Sequence, residues 1–156
     1  MFLIGSSYIN LITDDFYRKS NDIDYIVDNT DNTLPKSEND KRIEYHLNPI
    51  LFEYINTFGN SLEVQYTLKL SHMFYDINWS KHLSDIKWYQ SKNINYILTL
   101  YNDLINYWTI IHGNRKEPNF KKSNSEFFYD KVHRKISHDD LHELVKYYDT
   151  PLFNKI

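Results

Sequence analysis

The sequence predicts an α+β protein, in which a small N-terminal mixed β-sheet is followed by a helical region. Three short runs before residue 49 have the apolar or alternating character of strands, and a helix-like segment separates the first two. From Pro49 onward the apolar residues recur every three or four positions, which is the period of an amphipathic helix. We therefore expect an α/β core over residues 1–48 and a helical region over residues 49–156, packed together as one compact unit.

The N-terminal region is predicted to hold three strands, one helix and one loop. The strands are the apolar or alternating segments, residues 2–4, 23–28 and 41–47. The helix is expected to begin at Ser6 or Ser7, whose hydroxyls can cap it, and to run to about residue 18. Residues 29–40 are polar and contain Pro35, so they are predicted to form a loop or an exposed hairpin connection.

The helical region is predicted to contain six helices, each delimited by proline, glycine or capping residues. They cover residues 49–58, 60–76, 78–89, 93–111, 125–135 and 137–148. Pro49 suits the first turn of the first of them, and Gly59 follows its last residue. The segment that begins at Asn60 opens with a pattern similar to a capping box.

The composition excludes several classes of protein. The chain has no cysteine, which rules out disulfides, thiolate metal sites and a cysteine nucleophile. The net charge of -3 gives no overall basic field that would attract nucleic acid. No apolar run approaches the roughly 20 residues that a membrane span needs. We expect a soluble protein of the reducing cytoplasm without a membrane partner.

The main chemical signal is a set of three carboxylates near the start of the chain. Asp22 and Asp24 are two residues apart on a predicted strand and therefore share a face, and Glu44 on a neighbouring strand can join them. Three carboxylates form a site suited to Mg²⁺ or Mn²⁺. Gly5 and Ser6 precede a helix whose N-terminus can hold a phosphate. The structural alternative is that the three acids are ordinary turn, edge and solvent-exposed positions.

The order of these residues resembles the nucleotidyltransferase fold of the polymerase-beta-like superfamily. The shared pattern is Gly5-Ser6, a helix, then Asp22-Ile23-Asp24 and a hydrophobic strand. The resemblance implies that Asp22 and Asp24 are the catalytic metal ligands, with Glu44 as the third. It also implies a nucleotidyltransferase-like topology for the sheet and a phosphate-binding turn at Gly5 and Ser6.

A second block resembles the helical region of abortive-infection-type nucleotidyltransferases. It consists of the sequence LKLSH over residues 68–72 and KHLSDI over residues 81–86. The resemblance implies that Lys69 contacts the nucleotide phosphates and that Asp85 supports it. His72 lies one helical turn from Lys69 and joins the predicted nucleotide-binding set. The structural alternative is a pair of amphipathic helices with charged outer faces.

The resemblance implies transfer of a nucleotidyl group from a nucleoside triphosphate to a hydroxyl acceptor with Mg²⁺ or Mn²⁺. The acceptor would be an RNA or a protein. The layout is also similar to that of phage and large-virus proteins, which would place the activity in a host cytoplasm. The alternative is a catalytically inactive protein of the same fold that binds a nucleic acid or a host protein.

Two further patterns lie near the C-terminus. His138 and His142 share a helix face at a spacing that suits Zn²⁺, although ordinary first-turn positions explain the same residues. Residues 115–122 form a basic segment with one interleaved phenylalanine, which can contact a phosphate backbone or lie in solvent as a loop.

Overall fold

A computed structural model gives the structure of the chain and describes residues 1–72 and 79–111. The predicted α+β class is confirmed, because the described residues form one mixed four-stranded sheet and five helices. The chain divides into two compact units, Met1–Gln65 and Tyr66–Ile156. The helices predicted over residues 125–135 and 137–148 lie outside the described ranges, and the division predicted at residues 48 and 49 stays a prediction.

The sheet has the strand order β1-β2-β4-β3. Its strands are β1 (Phe2–Ile4), β2 (Ile23–Val27), β3 (Ser37–Glu38) and β4 (Lys41–Leu47). β2 pairs with β1 in the antiparallel sense and with β4 in the parallel sense, while β3 and β4 form an antiparallel hairpin. The three predicted strands are confirmed.

Residues 29–40, predicted to form a loop or an exposed hairpin connection, contain the short strand β3, which forms a hairpin with β4. Glu38 pairs with Lys41, so only Asn39 and Asp40 form the turn of the hairpin. Both turn residues have positive φ, 50° and 63°. Asparagine and aspartate tolerate this left-handed conformation, and a two-residue turn with two positive φ values matches the twist of a β-hairpin.

The helix α1 (Gly5–Ile12) is shorter than predicted. Its N-cap is Ile4, which has no capping side chain, so the prediction of a serine cap is wrong. The helix ends at Ile12 because Thr13 is extended, and side-chain hydrogen bonds hold the segment that follows. Thr13 Oγ1 accepts a hydrogen bond from the Asp15 amide, and Asn10 binds the backbone of the following segment at Arg18 and Ser20.

The helix α2 (Pro49–Phe58) begins and ends where the sequence predicts. The Asn48 side chain caps it by accepting a hydrogen bond from the Leu51 amide at 3.0 Å. The helix ends at Gly59, whose φ of 89° favours glycine. Phe52 packs on Phe2 of β1 with ring centroids 5.1 Å apart, which joins α2 to the sheet.

The remaining described helices are α3 (Leu62–His72), α4 (Trp79–Ser91) and α5 (Leu98–Ile111). α3 is capped by Ser61, whose hydroxyl accepts a hydrogen bond from the Val64 amide. In the second unit, Tyr66 and Tyr89 stack with centroids 5.0 Å apart, and Ile86 and Leu104 are fully buried. None of the helices in the described ranges is long and apolar enough to cross a membrane.

The helix α5 begins five residues later than predicted because Asn93 ends α4. Asn93 has a φ of 56°, the left-handed conformation that terminates a helix. The Ile94 amide donates to the Tyr89 carbonyl, and the Asn93 amide donates to the Gln90 carbonyl. These two bonds form the Schellman motif, which satisfies the last carbonyls of α4.

We expect Asn93→Ala to lower the free energy of unfolding by about 1 kcal/mol. Alanine is disfavoured at positive φ, whereas asparagine tolerates this conformation because its side chain can form local hydrogen bonds. Asn93→Gly should keep or slightly raise the stability. The matched control is Asn102→Ala, an exposed position inside α5 where alanine is the better helix former. Urea unfolding followed by circular dichroism measures all three. A loss in Asn102→Ala equal to that in Asn93→Ala would contradict the assignment.

Candidate metal centre

The parallel pairing of β2 with β4 places three potential metal ligands on one face of the sheet. Asp24 pairs in register with Glu44, so their side chains leave the sheet on the same side. His46 is two residues beyond Glu44 on β4 and therefore projects to that face as well. The alternation of charged and apolar residues along β4 is the feature that produces this arrangement.

The three side chains converge closely enough to share one cation. One ligand atom each from Asp24, Glu44 and His46 lies within 4.8 Å of the other two. His46 Nε2 is 2.8 Å from Asp24 Oδ1 and 3.8 Å from Glu44 Oε2. The side chains are 27%, 32% and 45% exposed for Asp24, Glu44 and His46, so the group is open to solvent. Two carboxylates and an imidazole form a site that can hold a metal ion.

The protonation of His46 is coupled to Asp24. A carboxylate can only accept a hydrogen bond, so the 2.8 Å contact requires a proton on His46 Nε2. The hydrogen bond from His46 to Asp24 raises the pKa of the imidazole above 6.5, and partial burial opposes this effect. Nearby charge on Asp24 and Glu44 raises the same pKa further. A metal must therefore displace this proton before Nε2 can bind it.

Asp22 does not join this group in the described structure. The residue precedes β2, and the group of ligands within reach of one another consists of Asp24, Glu44 and His46. The backbone carbonyl of Asp22 accepts hydrogen bonds from the hydroxyls of Ser7 and Ser20. The structure thus brings together two of the three predicted carboxylates and adds a histidine.

Gly5 lies beside the carboxylate of Asp24 at the start of α1. A Cβ placed on Gly5 would be 3.6 Å from Asp24 Oδ2, which is van der Waals contact. The φ of Gly5 is 65°, a conformation that favours glycine at this junction. The Ser6 hydroxyl donates to the Ser20 hydroxyl at 3.1 Å. The Ser7 hydroxyl accepts from the Asp24 amide, which ties the start of α1 to β2.

A buried polar network holds the Gly5 turn from the side of α3. The Gly5 amide donates to Gln65 Oε1 at 2.7 Å, and Gln65 is almost fully buried. Gln65 Nε2 donates to Asn60 Oδ1 at 2.6 Å, and Asn60 Nδ2 donates to the Leu3 carbonyl at 2.7 Å. This glutamine is sixty residues from Gly5 in the chain, so the sequence offers no local signal for the contact.

In the second unit, Lys69 is bound by two side chains of α4. Its ammonium donates to Asp85 Oδ2 at 3.2 Å and to His82 Nδ1 at 2.9 Å. The side chain of Asp85 is 2% exposed, so this is a buried ion pair. The acceptor role of Nδ1 leaves the proton of a neutral His82 on Nε2. Lys69 and Asp85 are thus brought together as predicted, whereas their contact with a nucleotide stays a prediction.

His72 lies at the end of α3, with its ring packed against Trp108 at an interplanar angle of 49°. The two ring centroids are 4.2 Å apart, and Trp108 Nε1 donates to the hydroxyl of Ser71 at 3.0 Å. The predicted nucleotide-binding role of His72 stays a prediction. The basic segment at residues 115–122 and the pair His138 and His142 lie outside the described residues.

Sequence reasoning missed His46, Gln65 and His82 as members of these clusters. For His46 a signal was present, because alternation along β4 already puts it on the face of Glu44. A pattern of three carboxylates, which is typical of Mg²⁺ sites, does not indicate the imidazole. His82 lies three residues before Asp85 on α4, a spacing that places the two on one helix face.

Comparison with known proteins gives one match. A family model described as Domain of unknown function (DUF7275) matches residues 64–156, which is more than half of the chain. No curated protein and no solved structure matches the chain. The matched residues include Lys69, His82 and Asp85, whereas the group formed by Asp24, Glu44 and His46 precedes them.

We expect the hydrogen bond between His46 and Asp24 to stabilise the metal-free fold most at low pH. The pKa of His46 is raised in the folded state, so its contribution is present below about pH 6.5 and is lost as the pH rises through the folded value. Thermal melts in EDTA from about pH 6 to about pH 8.5 should show the gap between the native protein and His46→Asn shrinking. A gap that widens with pH would contradict this assignment.

We expect Gln65→Leu to lower the free energy of unfolding by about 2–4 kcal/mol, because it leaves the Gly5 amide without an acceptor and removes one of the two donors to Asn60 Oδ1. Asn102→Leu is the control, since it replaces an exposed amide side chain inside α5 by the same apolar residue. Its loss should be under about 1 kcal/mol. Chemical denaturation measures both variants, and equal losses would show that the network around Gly5 has no special weight.

Proposed function

Because the chain belongs to the DUF7275 family, a domain of unknown function, we propose its activity from the site on the sheet. The protein transfers a nucleotidyl group from a nucleoside triphosphate to a hydroxyl acceptor, using a divalent metal bound by Asp24, Glu44 and His46. The acceptor oxygen forms a bond to the α-phosphorus, and the bond to the departing pyrophosphate breaks. The acceptor is an RNA or a protein of the cytoplasm. The observation that carries the proposal is the position of Gly5 beside the Asp24 carboxylate, where an added Cβ would lie 3.6 Å from Oδ2.

This position supports phosphate chemistry because it brings a candidate metal ligand, Asp24, next to the N-terminus of α1. A divalent cation at Asp24 would bind phosphate oxygens of the nucleotide. The first turn of α1 begins at Gly5, whose own amide donates to Gln65, so the backbone amides of Ser6 and Ser7 would be the donors for an anion. A triphosphate bound to the metal would therefore lie next to amide donors. The order Gly5, Ser6, helix and Asp24 is also the order of the resemblance described above.

The proposed metal is Mn²⁺ or Mg²⁺, and the ligands favour Mn²⁺. Carboxylate oxygens suit both ions, whereas an imidazole ligand is unusual for Mg²⁺ and acceptable to the transition metals. The metal would polarise the phosphate being attacked and assist deprotonation of the attacking hydroxyl. The protein contributes mainly by positioning the reactants and stabilising charge. The proposed roles of Lys69, His72 and Asp85 in binding the nucleotide remain separate from this metal site.

The ligand set is tested by Mn²⁺ titration followed by electron paramagnetic resonance. We expect Asp24→Asn, Glu44→Gln and His46→Asn each to weaken Mn²⁺ binding by about 100-fold or more, since even residues supporting a metal ligand are worth about 10–100-fold. Asp28→Asn and Glu38→Gln are matched controls at exposed acidic positions of the same unit. Asp22→Asn decides between the ligand sets, because it should weaken binding strongly only if Asp22 is a ligand.

The activity is tested by calorimetric titration of ATP, GTP, CTP and UTP in the presence of Mn²⁺ and in EDTA. We expect binding of a nucleotide to require the metal and to be lost in Asp24→Asn. Transfer from the α-³²P-labelled nucleotide to RNA or to protein should be lost in the same variant, with its thermal melt retained. Metal-dependent transfer that persists in Asp24→Asn would overturn the proposal, as would the absence of nucleotide binding to a metal-loaded protein.

A further inference from the structure

Arg42 extends the ligand group of the sheet along β4. It lies two residues before Glu44 and therefore projects to the same face. Its Nη2 atom is 3.2 Å from Glu44 Oε1, while the other carboxylate oxygen of Glu44 is the one nearer to His46. The side chain of Arg42 is 75% exposed. A guanidinium thus stands in solvent at the rim of a group that can hold a metal.

We propose that Arg42 binds a phosphate group of the metal-bound substrate and makes the site specific for phosphate-bearing ligands. The inference rests on the metal-dependent function proposed above and adds a residue that recognises the substrate. The substrate class is a polyphosphate, as carried by a nucleoside triphosphate. Arg42 recognises the phosphate directly, whereas the metal ligands act through the cation.

Arg42 and a bound cation would compete for the carboxylate of Glu44. A divalent cation and the guanidinium are both attracted to the same carboxylate and repel each other, so each weakens the binding of the other to Glu44. An ion pair as exposed as this one contributes only about 0–1 kcal/mol, and the cation therefore displaces it at small cost. Metal binding consequently frees donors of Arg42 at the edge of the site.

The guanidinium of Arg42, once released from Glu44, is suited to binding a phosphate. A guanidinium presents parallel N–H donors that match two oxygens of one phosphate, and this geometry is not available to lysine. Arg42 lies at one carboxylate oxygen of Glu44 and His46 is nearer to the other, so a metal bound with His46 would repel Arg42, and an anion that contacts both would relieve that repulsion. A neutral ligand would not do so. The site with its metal therefore favours a phosphate-bearing ligand.

Replacing Arg42 should therefore have opposite effects on the affinity for the metal and on the affinity for the phosphate ligand. Arg42→Ala should tighten the binding of Mn²⁺ alone by about two- to fivefold, because a competitor for Glu44 is removed. The same variant should weaken the binding of tripolyphosphate and ATP to the Mn²⁺-loaded protein by about tenfold or more. A residue that only maintains the structure of the site would weaken both. Arg42→Lys should leave Mn²⁺ affinity close to the native value and still weaken the phosphate ligands.

Lys41→Ala is the matched control. It changes the net charge by the same amount at the adjacent position, yet Lys41 projects to the opposite face of the strand. We expect its affinities for Mn²⁺, tripolyphosphate and ATP to stay within about twofold of the native values. A loss of phosphate binding in Lys41→Ala equal to that in Arg42→Ala would reduce the effect to net charge and overturn the inference.

The experiment is carried out on the full chain in two stages. Mn²⁺ alone is titrated first, and tripolyphosphate and ATP are then titrated separately as their Mn²⁺ complexes. Equal losses for both ligands in Arg42→Ala show that the phosphate is recognised, whereas a loss with ATP alone would overturn the inference. If the native protein binds no Mn²⁺, the proposed function fails with it. If it binds Mn²⁺ but Arg42→Ala weakens that binding or leaves phosphate affinity unchanged, only the role of Arg42 fails.

Discussion

The arrangement of the candidate site depends on the parallel pairing of β2 with β4. Asp24 lies beside Glu44 only in this register, and a slip of one residue would turn the acids to opposite faces of the sheet. Parallel neighbours also need a long connection, since the chain must return to the starting edge. Residues 28–40 supply it, and they contain the β3 strand in place of a crossover helix. The strand pairing thereby converts two distant segments into one group of ligands.

Polar side chains hold the segment that leads from α1 into β2 and so position Asp24. The segment between α1 and β2 is held by Asn10 and by hydroxyls of Ser6, Ser7 and Ser20. Ser7 in particular bonds both to the Asp22 carbonyl and to the Asp24 amide, which sets the entry of the chain into β2. The serines that were expected to cap α1 therefore position a candidate metal ligand instead.

The sequence predicts the features that depend on neighbouring residues and fails for those that depend on residues distant in the chain. The extent of β4 and the bounds of α2 are local properties, visible in the alternation of residues 41–47 and in Pro49 and Gly59, and both predictions are confirmed. The predicted length of α1 was wrong because the chain becomes extended at Thr13, and Asn10 binds the backbone of the segment after it through hydrogen bonds that no local pattern indicates. The face shared by Asp22 and Asp24 required both to lie within the strand, yet β2 begins at Ile23. Pairing between strands and the reach of Gln65 to Gly5 are long-range, and no local pattern encodes them.

The two charged clusters differ in what they do with their charges. In the second unit the buried Asp85 is neutralised by Lys69, and breaking such a pair typically costs about 3–5 kcal/mol, so its first effect is structural. On the sheet, two carboxylates lie side by side in partial contact with water and repel each other. Arg42 and the proton on His46 offset that repulsion in the absence of a metal. Both can be displaced at small cost, because one is an exposed ion pair and the other a titrating proton. The carboxylates on the sheet are therefore suited to binding a cation, because a metal can replace Arg42 and the His46 proton. The pair of Lys69 and Asp85 is suited to stabilising the fold, because each charge neutralises the other.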